Sequence, residues 1–190
     1  MELKAESDNN KPLAPDSFFN RAGELKYILV TLPHDWQIYH VKDLYKNSVG
    51  FYKKIFTLSE EDLFKDGASR YFALNFEGVY MNSAVWVNGK KAGEWKYGYS
   101  AFEFDISALV RSGQNEVLVI AVYQNCNTRW YSGAGIFRDV YFVNSPAIHI
   151  INGGVYFSAK PVDENKLDAE WKVKICTEID PRVKPEGDNV

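Results

Sequence analysis

The dipeptide Asn88-Gly89, set between Ala84-Val85-Trp86-Val87 and Lys90-Lys91-Ala92-Gly93, constrains the fold more than any other feature of the sequence. Asn-Gly accepts positive φ at both central positions of a type I′ turn, whose twist matches that of two paired strands, so a β-hairpin is predicted here. Further short strand-like runs recur along the chain, at 27–32, 50–56, 70–76, 102–105 and 116–123, with Gly, Pro, Asn, Asp and Ser between them. The last of these is apolar at every position from Val117 to Tyr123, the pattern of a strand buried on both faces. Helical signals are confined to single turns. One is begun by Ser59 ahead of Glu60-Glu61-Asp62, and one covers 107–113 and is stopped by Gly113. The three acids suit the positive end of a helical turn and face solvent, so they are not assigned to catalysis. Strands at this spacing with only isolated turns of helix predict an all-β sandwich or jelly roll.

The strand pattern divides the chain. Residues 1–26 are polar, and Pro12 and Pro15 break any helix, so they read as a surface lead-in. The main domain occupies 27–144. Ser145-Pro146 marks a junction, after which 148–150, 155–157 and 169–175 supply three more strands, too few to close a second sandwich. The expectation is that 145–190 is the truncated start of a second β domain and that the chain is a piece of a larger protein.

Charge and composition exclude several classes of function. With 22 basic and 25 acidic residues, a net charge of −3 and no local Lys/Arg cluster, there is no field to attract nucleic acid. No run approaches the roughly 18 apolar residues that would span a bilayer, and the opening ten residues lack a signal peptide's apolar region. The compartment stays open between the cytoplasm and a periplasmic or secreted location reached with a trimmed signal. Cys126 and Cys176 fall in different domains and read as free thiols. His34, His40 and His149 lack zinc-type spacing, so neither a metal site nor a cofactor is expected.

Two stretches carry candidate site residues. Arg129-Trp130-Tyr131-Ser132-Gly133-Ala134-Gly135-Ile136-Phe137-Arg138 places two guanidinium groups, two amphipathic rings and two glycines ahead of the strand-like run 139–143, with 136–143 read as core strand. Flat rings beside fork-shaped donors suit sugars, whereas a bulged strand entrance with Trp130 and Tyr131 packed inward is the structural alternative. His34-Asp35-Trp36 follows the run 27–32 directly, where a loop is held rigidly enough to serve a site, and Asp35 either caps a turn or accepts from a ligand. Asn115-Glu116 imitates a glycosidase signature but lies between a Gly-containing turn and a core strand, so it is read as structural.

Several stretches together resemble the N-terminal part of the glycoside hydrolases of family 2, which includes β-galactosidases, β-glucuronidases and β-mannosidases. They are Leu32-Pro33-His34-Asp35-Trp36, Asn75-Phe76-Glu77-Gly78-Val79, Val85-Trp86-Val87-Asn88-Gly89, Gly98-Tyr99 with 102–107, and 129–138, in the family's order. The resemblance implies a galactose-binding-like jelly roll, then an immunoglobulin-like sandwich beginning near Pro146, then a catalytic TIM barrel lying outside this chain. Both catalytic glutamates belong to that barrel, so no residue here is assigned to the chemical step and the isolated chain is expected to be inactive. The jelly roll then forms a wall of the sugar pocket. Asp35 would accept from sugar hydroxyls, Arg129 would donate to one or support Asp35, and Trp130 and Asn127 would line the same wall. Some family members carry an acid at the place of Arg129; the basic residue here fits the Arg-Trp-Tyr-Ser-Gly type of β-galactosidase and weakens the case for a cation. The implied partners are a terminal β-linked sugar, a galactoside first, the missing barrel, and further copies if the parent is a homo-oligomer. A free-standing carbohydrate-binding module and a domain-orienting scaffold are the competing readings.

Overall fold

The computed structural model describes residues 2–4, 13–39, 46–65, 68–124, 132–163 and 170–180. They form two compact units, Met1–Asn144 and Ser145–Val190. The first is an antiparallel sandwich of jelly-roll type. Its strands are β1 (Glu2–Lys4), β2 (Ser48–Leu58), β3 (Phe64–Lys65), β4 (Ala68–Phe76), β5 (Ser83–Val87), β6 (Lys90–Trp95), β7 (Phe102–Asp105), β8 (Gly113–Tyr123) and β9 (Val140–Pro146). One sheet has the order β1-β2-β8-β5-β6; the other is β3-β4-β7, with β9 also paired to β4. The predicted hairpin is β5–β6, with Asn88 and Gly89 both at positive φ (51° and 78°).

The alternation along β8 shows why its sequence is apolar throughout. Val117, Val119, Ala121 and Tyr123 face the core between the sheets, with Phe72, Leu74, Phe76, Val85, Val87, Phe102 and Ile106. Leu118, Ile120 and Val122 face the other way, into a second cluster with Val49, Phe51, Ala84 and Trp86. A half-buried sheet would need only every second residue apolar. The second face is covered by a 3-10 helix at Pro15–Glu24, which inserts Phe18 and Ala22. This corrects the reading of residues 1–26 as a lead-in with helix-breaking prolines, because Pro15 sits at the first helical position, where its missing N–H is no loss.

Three further expectations change. Residues 27–32 are not a strand: Ile28 is 71% and Leu29 101% exposed. The edge of β2 at Ser48–Gly50 is already taken by β1, and β-branched residues alone do not supply a ladder partner. The core strand expected at 136–143 begins only at Val140; Ile136 is buried, but in an irregular connection. At 107–113 the single turn is present, with Val110 N–H donating to Ile106 C=O, but Asp105 rather than Ser107 caps it, and Ser107 ties the turn to Phe72. The turn begun by Ser59 is as predicted, and Asp62 closes it further by returning a hydrogen bond to the Ser59 backbone in a reciprocal capping box.

The second unit contains one antiparallel pair, β10 (Ile150–Pro161) and β11 (Trp171–Ile179). Two of the three expected strands merge, because a register shift between Ile150 and Val155, around Gly153 at φ 73°, carries 148–150 into 155–157 without ending the strand. Val155, Phe157, Val173 and Ile175 of this pair are exposed. Among the described residues no helix is long and apolar enough to cross a membrane.

Candidate functional site

The two stretches singled out in the sequence meet at one end of the sandwich. His34 N–H donates to Ile136 C=O at 2.7 Å and Trp36 N–H to Ala134 C=O at 3.1 Å, so residues 34–36 run beside 134–136 like a short ladder. On its other side Gly135 exchanges both backbone hydrogen bonds with Tyr80, at 2.8 and 2.9 Å. The connection at 132–136 is therefore clamped between two neighbours although it belongs to no named strand.

Asp35 lies at the centre of this junction. Its Oδ1 accepts from the backbone N–H of Gln37 at 2.9 Å and of Ala134 at 3.1 Å. The first bond is the turn-capping role that the sequence allowed; the second ties the carboxylate to the glycine-containing loop. Its other oxygen, Oδ2, faces Gly133, where a Cβ would come within 2.9 Å of it. Gly133 has φ 77° and Gly135 φ 123°. A Cβ on Gly135 would fall on the Tyr52 hydroxyl and 2.7 Å from the His34 carbonyl oxygen, so only glycine permits this approach.

Aromatic side chains support the junction from below. Trp36 is buried, donates from Nε1 to Ser48 Oγ at 3.0 Å, and packs where any Cβ on Gly50 would collide with its ring. The Tyr52 hydroxyl is 3.0 Å from His34 Nδ1 and accepts from Ile136 N–H at 3.4 Å, joining both lips of the junction to β2. Burial pushes the Tyr52 phenol well above its ordinary pKa, which keeps it neutral. Burial also pulls the His34 imidazole below its usual value, partly opposed by the Asp35 charge. Tyr52 and Gln37 were not singled out in the sequence, because a strand tyrosine and a glutamine after tryptophan look like ordinary packing residues. Both polar ends of the Gln37 side chain, and the Ser132 hydroxyl, are buried without a hydrogen-bond partner among the described residues.

Arg129, Trp130 and Asn127 lie outside the described residues, as does Cys126, whereas Cys176 is exposed on β11. Asn115 is fully buried and binds Asn88, Arg111 and Gly113, so Asn115-Glu116 is the structural element it was read as. Among the described residues no three of His, Cys, Asp and Glu gather closely enough to hold a metal ion.

Residues 7–146 match the family model described as the sugar binding domain of the family 2 glycosyl hydrolases. Beta-galactosidase BoGH2A from Bacteroides ovatus is 31% identical over 175 residues, covering 80% of this chain and 20% of that protein. Among solved structures, a beta-glycosidase from Bacteroides vulgatus is similar with a TM-score of 0.62 and 31% identity, over 80% of this chain and 21% of that one. A beta-glucuronidase from an uncultured Clostridium shares the fold, with a TM-score of 0.66 at 16% identity, over 96% of this chain and 33% of that one. The chain spans about one fifth of the length of the first two relatives.

Proposed function

The chain belongs to the glycosyl hydrolases of family 2, and from that premise we propose that its jelly roll is one wall of the sugar pocket of a β-glycosidase, a β-galactosidase first. The supporting observation is the junction at Asp35: a carboxylate fixed by two backbone N–H groups, between two loops that close on each other at one end of a rigid sandwich. A carboxylate so oriented can accept hydrogen bonds from vicinal sugar hydroxyls without first losing side-chain freedom. Arg129, with Trp130 and Asn127 beside it, would complete the wall as donor and ring face.

The hydrolytic step belongs elsewhere in the parent enzyme. Retaining hydrolysis needs two carboxyl groups about 5 to 5.5 Å apart, one an acid/base and one a nucleophile. Asp35 is committed to holding its turn and takes the role of a binding group. The galactoside, the catalytic barrel as partner, and assembly of the parent into an oligomer are parts of the same proposal.

The test compares the parent enzyme with its Asp35→Asn and Asp35→Ala variants on a chromogenic β-galactoside. Loss of kcat/KM by about tenfold or more is expected from removing a charged hydrogen bond to substrate. Unchanged kinetics in both variants would make the domain a scaffold. Turnover by the isolated 190-residue chain would contradict the assignment of chemistry to another domain. Tight galactose binding by the isolated chain, abolished by Trp130→Ala, would identify a free-standing binding module instead.

A further inference from the structure

The segment from Tyr27 to Pro33 is held at both ends and bare between them. Tyr27 packs against the cluster around Val49 and Phe51, donates from its hydroxyl to Ala22 C=O at 3.0 Å, and has Lys53 Nζ 5.4 Å over its ring. At the other end His34 N–H donates to Ile136 C=O. Between these anchors Ile28 is 71%, Leu29 101% and Leu32 37% exposed, and Ile38, just past the Asp35 turn, is 54% exposed. Among the described residues no backbone N–H or C=O of 28–32 finds a hydrogen-bond partner.

Composition decides what kind of surface this is. From Tyr27 to Ile38 the only titratable groups besides the Tyr27 phenol are His34 and Asp35, and every exposed side chain of 28–33 except Thr31 is apolar. Aliphatic side chains in a stretch cleared of Lys, Arg and Glu are the signature of a permanent protein interface, whereas a surface for sugar carries polar groups. Strand-forming residues left unpaired and exposed also invite edge pairing between molecules unless something covers them.

The place of the segment beside Asp35 says what covers it. Leu32 and Ile38 each lie three residues from Asp35, so chain length alone keeps both within about 11 Å of it, and Leu29 within about 22 Å. A carboxylate that serves as a pocket wall must face the body that supplies the rest of the pocket, and such a body meets side chains this near. We propose that Ile28, Leu29, Leu32 and Ile38 are the surface on which the catalytic barrel of the same polypeptide seats against this jelly roll. This rests on the reading of Asp35 as a pocket wall, and it makes the aliphatic contact the element that sets how far Asp35 stands from the sugar. A second copy of the chain is the competing occupant; seated here, it would close over Asp35 and leave the carboxylate no sugar to meet.

The test places a photo-cross-linker in the parent enzyme as Leu29→p-benzoylphenylalanine and identifies the joined peptides by mass spectrometry after irradiation. A cross-link to a peptide of the catalytic barrel, in a product of monomer mass on a denaturing gel, is expected. A product of dimer mass, a cross-link to the jelly roll itself, or no cross-link overturns the proposal. Leu29→Asp supplies the second reading. It should leave the urea midpoint of the 190-residue chain unchanged, because Leu29 is fully exposed there, and lower the Tm of the parent by about 3 °C or more. An unchanged parent Tm, or an equal loss in the 190-residue chain, overturns the proposal as well. Neither reading uses sugar. A barrel cross-link in an enzyme whose kinetics Asp35→Asn leaves unchanged therefore supports the docking surface and overturns the Asp35 reading alone.

Discussion

Gly135→Ala measures how tightly the Asp35 junction is built. The residue has φ 123°, outside every region an L-alanine favours, which costs about 1–3 kcal/mol. The new methyl would fall on the Tyr52 hydroxyl and press on the His34 carbonyl at 2.7 Å. Moving the phenol breaks its contacts with His34 Nδ1 and Ile136 N–H, worth roughly 1 kcal/mol each. Together these predict a destabilisation of about 3–5 kcal/mol, or roughly 10 °C in Tm for a chain of this size. Gly133→Ala is the control. Its φ is 77° and its new methyl meets only the end of the Asp35 side chain, so about 1–2 kcal/mol is expected. Urea unfolding followed by tryptophan fluorescence in a Trp171→Phe background confines the signal to the first unit. A Gly135→Ala variant within about 1 kcal/mol of Gly133→Ala would refute the close approach of Tyr52 and His34 to Gly135.

Three other outcomes follow from the packing and the charges. Phe18→Ala should cost about 3–4 kcal/mol in the same unfolding assay, because its ring is buried edge-on to Phe51 under the Pro15–Glu24 helix; a surface lead-in would lose almost nothing. Asn115→Ala should cost about 2 kcal/mol, since it removes the buried side chain that accepts from Asn88 Nδ2 and Arg111 N–H and donates to the carbonyls of Arg111 and Gly113 in the turn before β8, and it should leave sugar affinity unchanged. His34 should make the sandwich sensitive to acid. Its folded pKa lies below the unfolded value of about 6.5, so the unfolded chain binds the proton first. This stability is fully present above that value and lost as pH falls towards the folded pKa. The urea midpoint should thus fall from pH 7 to pH 5 by more in wild type than in His34→Gln, and equal slopes would refute it.

How much of this could be read from the residues depended on the range of the interaction. The Asn88-Gly89 hairpin and the Ser59–Asp62 capping box were legible because their partners lie within four residues. The double burial of β8 was legible too, since a strand with apolar residues on both faces must find cover for both. What covers the second face was not, because Phe18 reaches it from about 100 residues away and the Pro15–Glu24 helix begins with a proline that looks like a breaker. Residues 27–32 failed for the complementary reason: Tyr-Ile-Leu-Val-Thr-Leu has strand propensity, but among the described residues no strand pairs with it. Propensity states what a segment can do, and pairing decides what it does.

The Asp35 junction shows the same limit at the level of the site. From the sequence its two roles, turn cap and ligand acceptor, were alternatives. The geometry makes the first a condition for the second. A carboxylate on a mobile loop would lose rotamer freedom and change its hydration on meeting each hydroxyl, whereas Oδ1, held by Gln37 N–H and Ala134 N–H, fixes the plane of the group in advance. The bond from Ala134 N–H joins loops about 100 residues apart, so a substitution that spares the charge but disturbs the glycines should weaken binding as surely as one that removes it. Gly135→Ala and Asp35→Asn should therefore both lower sugar affinity, the first together with stability. For Asp35→Asn, the amide oxygen can still cap the turn, so its loss of affinity should come with little change in the urea midpoint. A large stability loss in Asp35→Asn would show that the negative charge itself holds the junction and would remove the basis for separating its two roles.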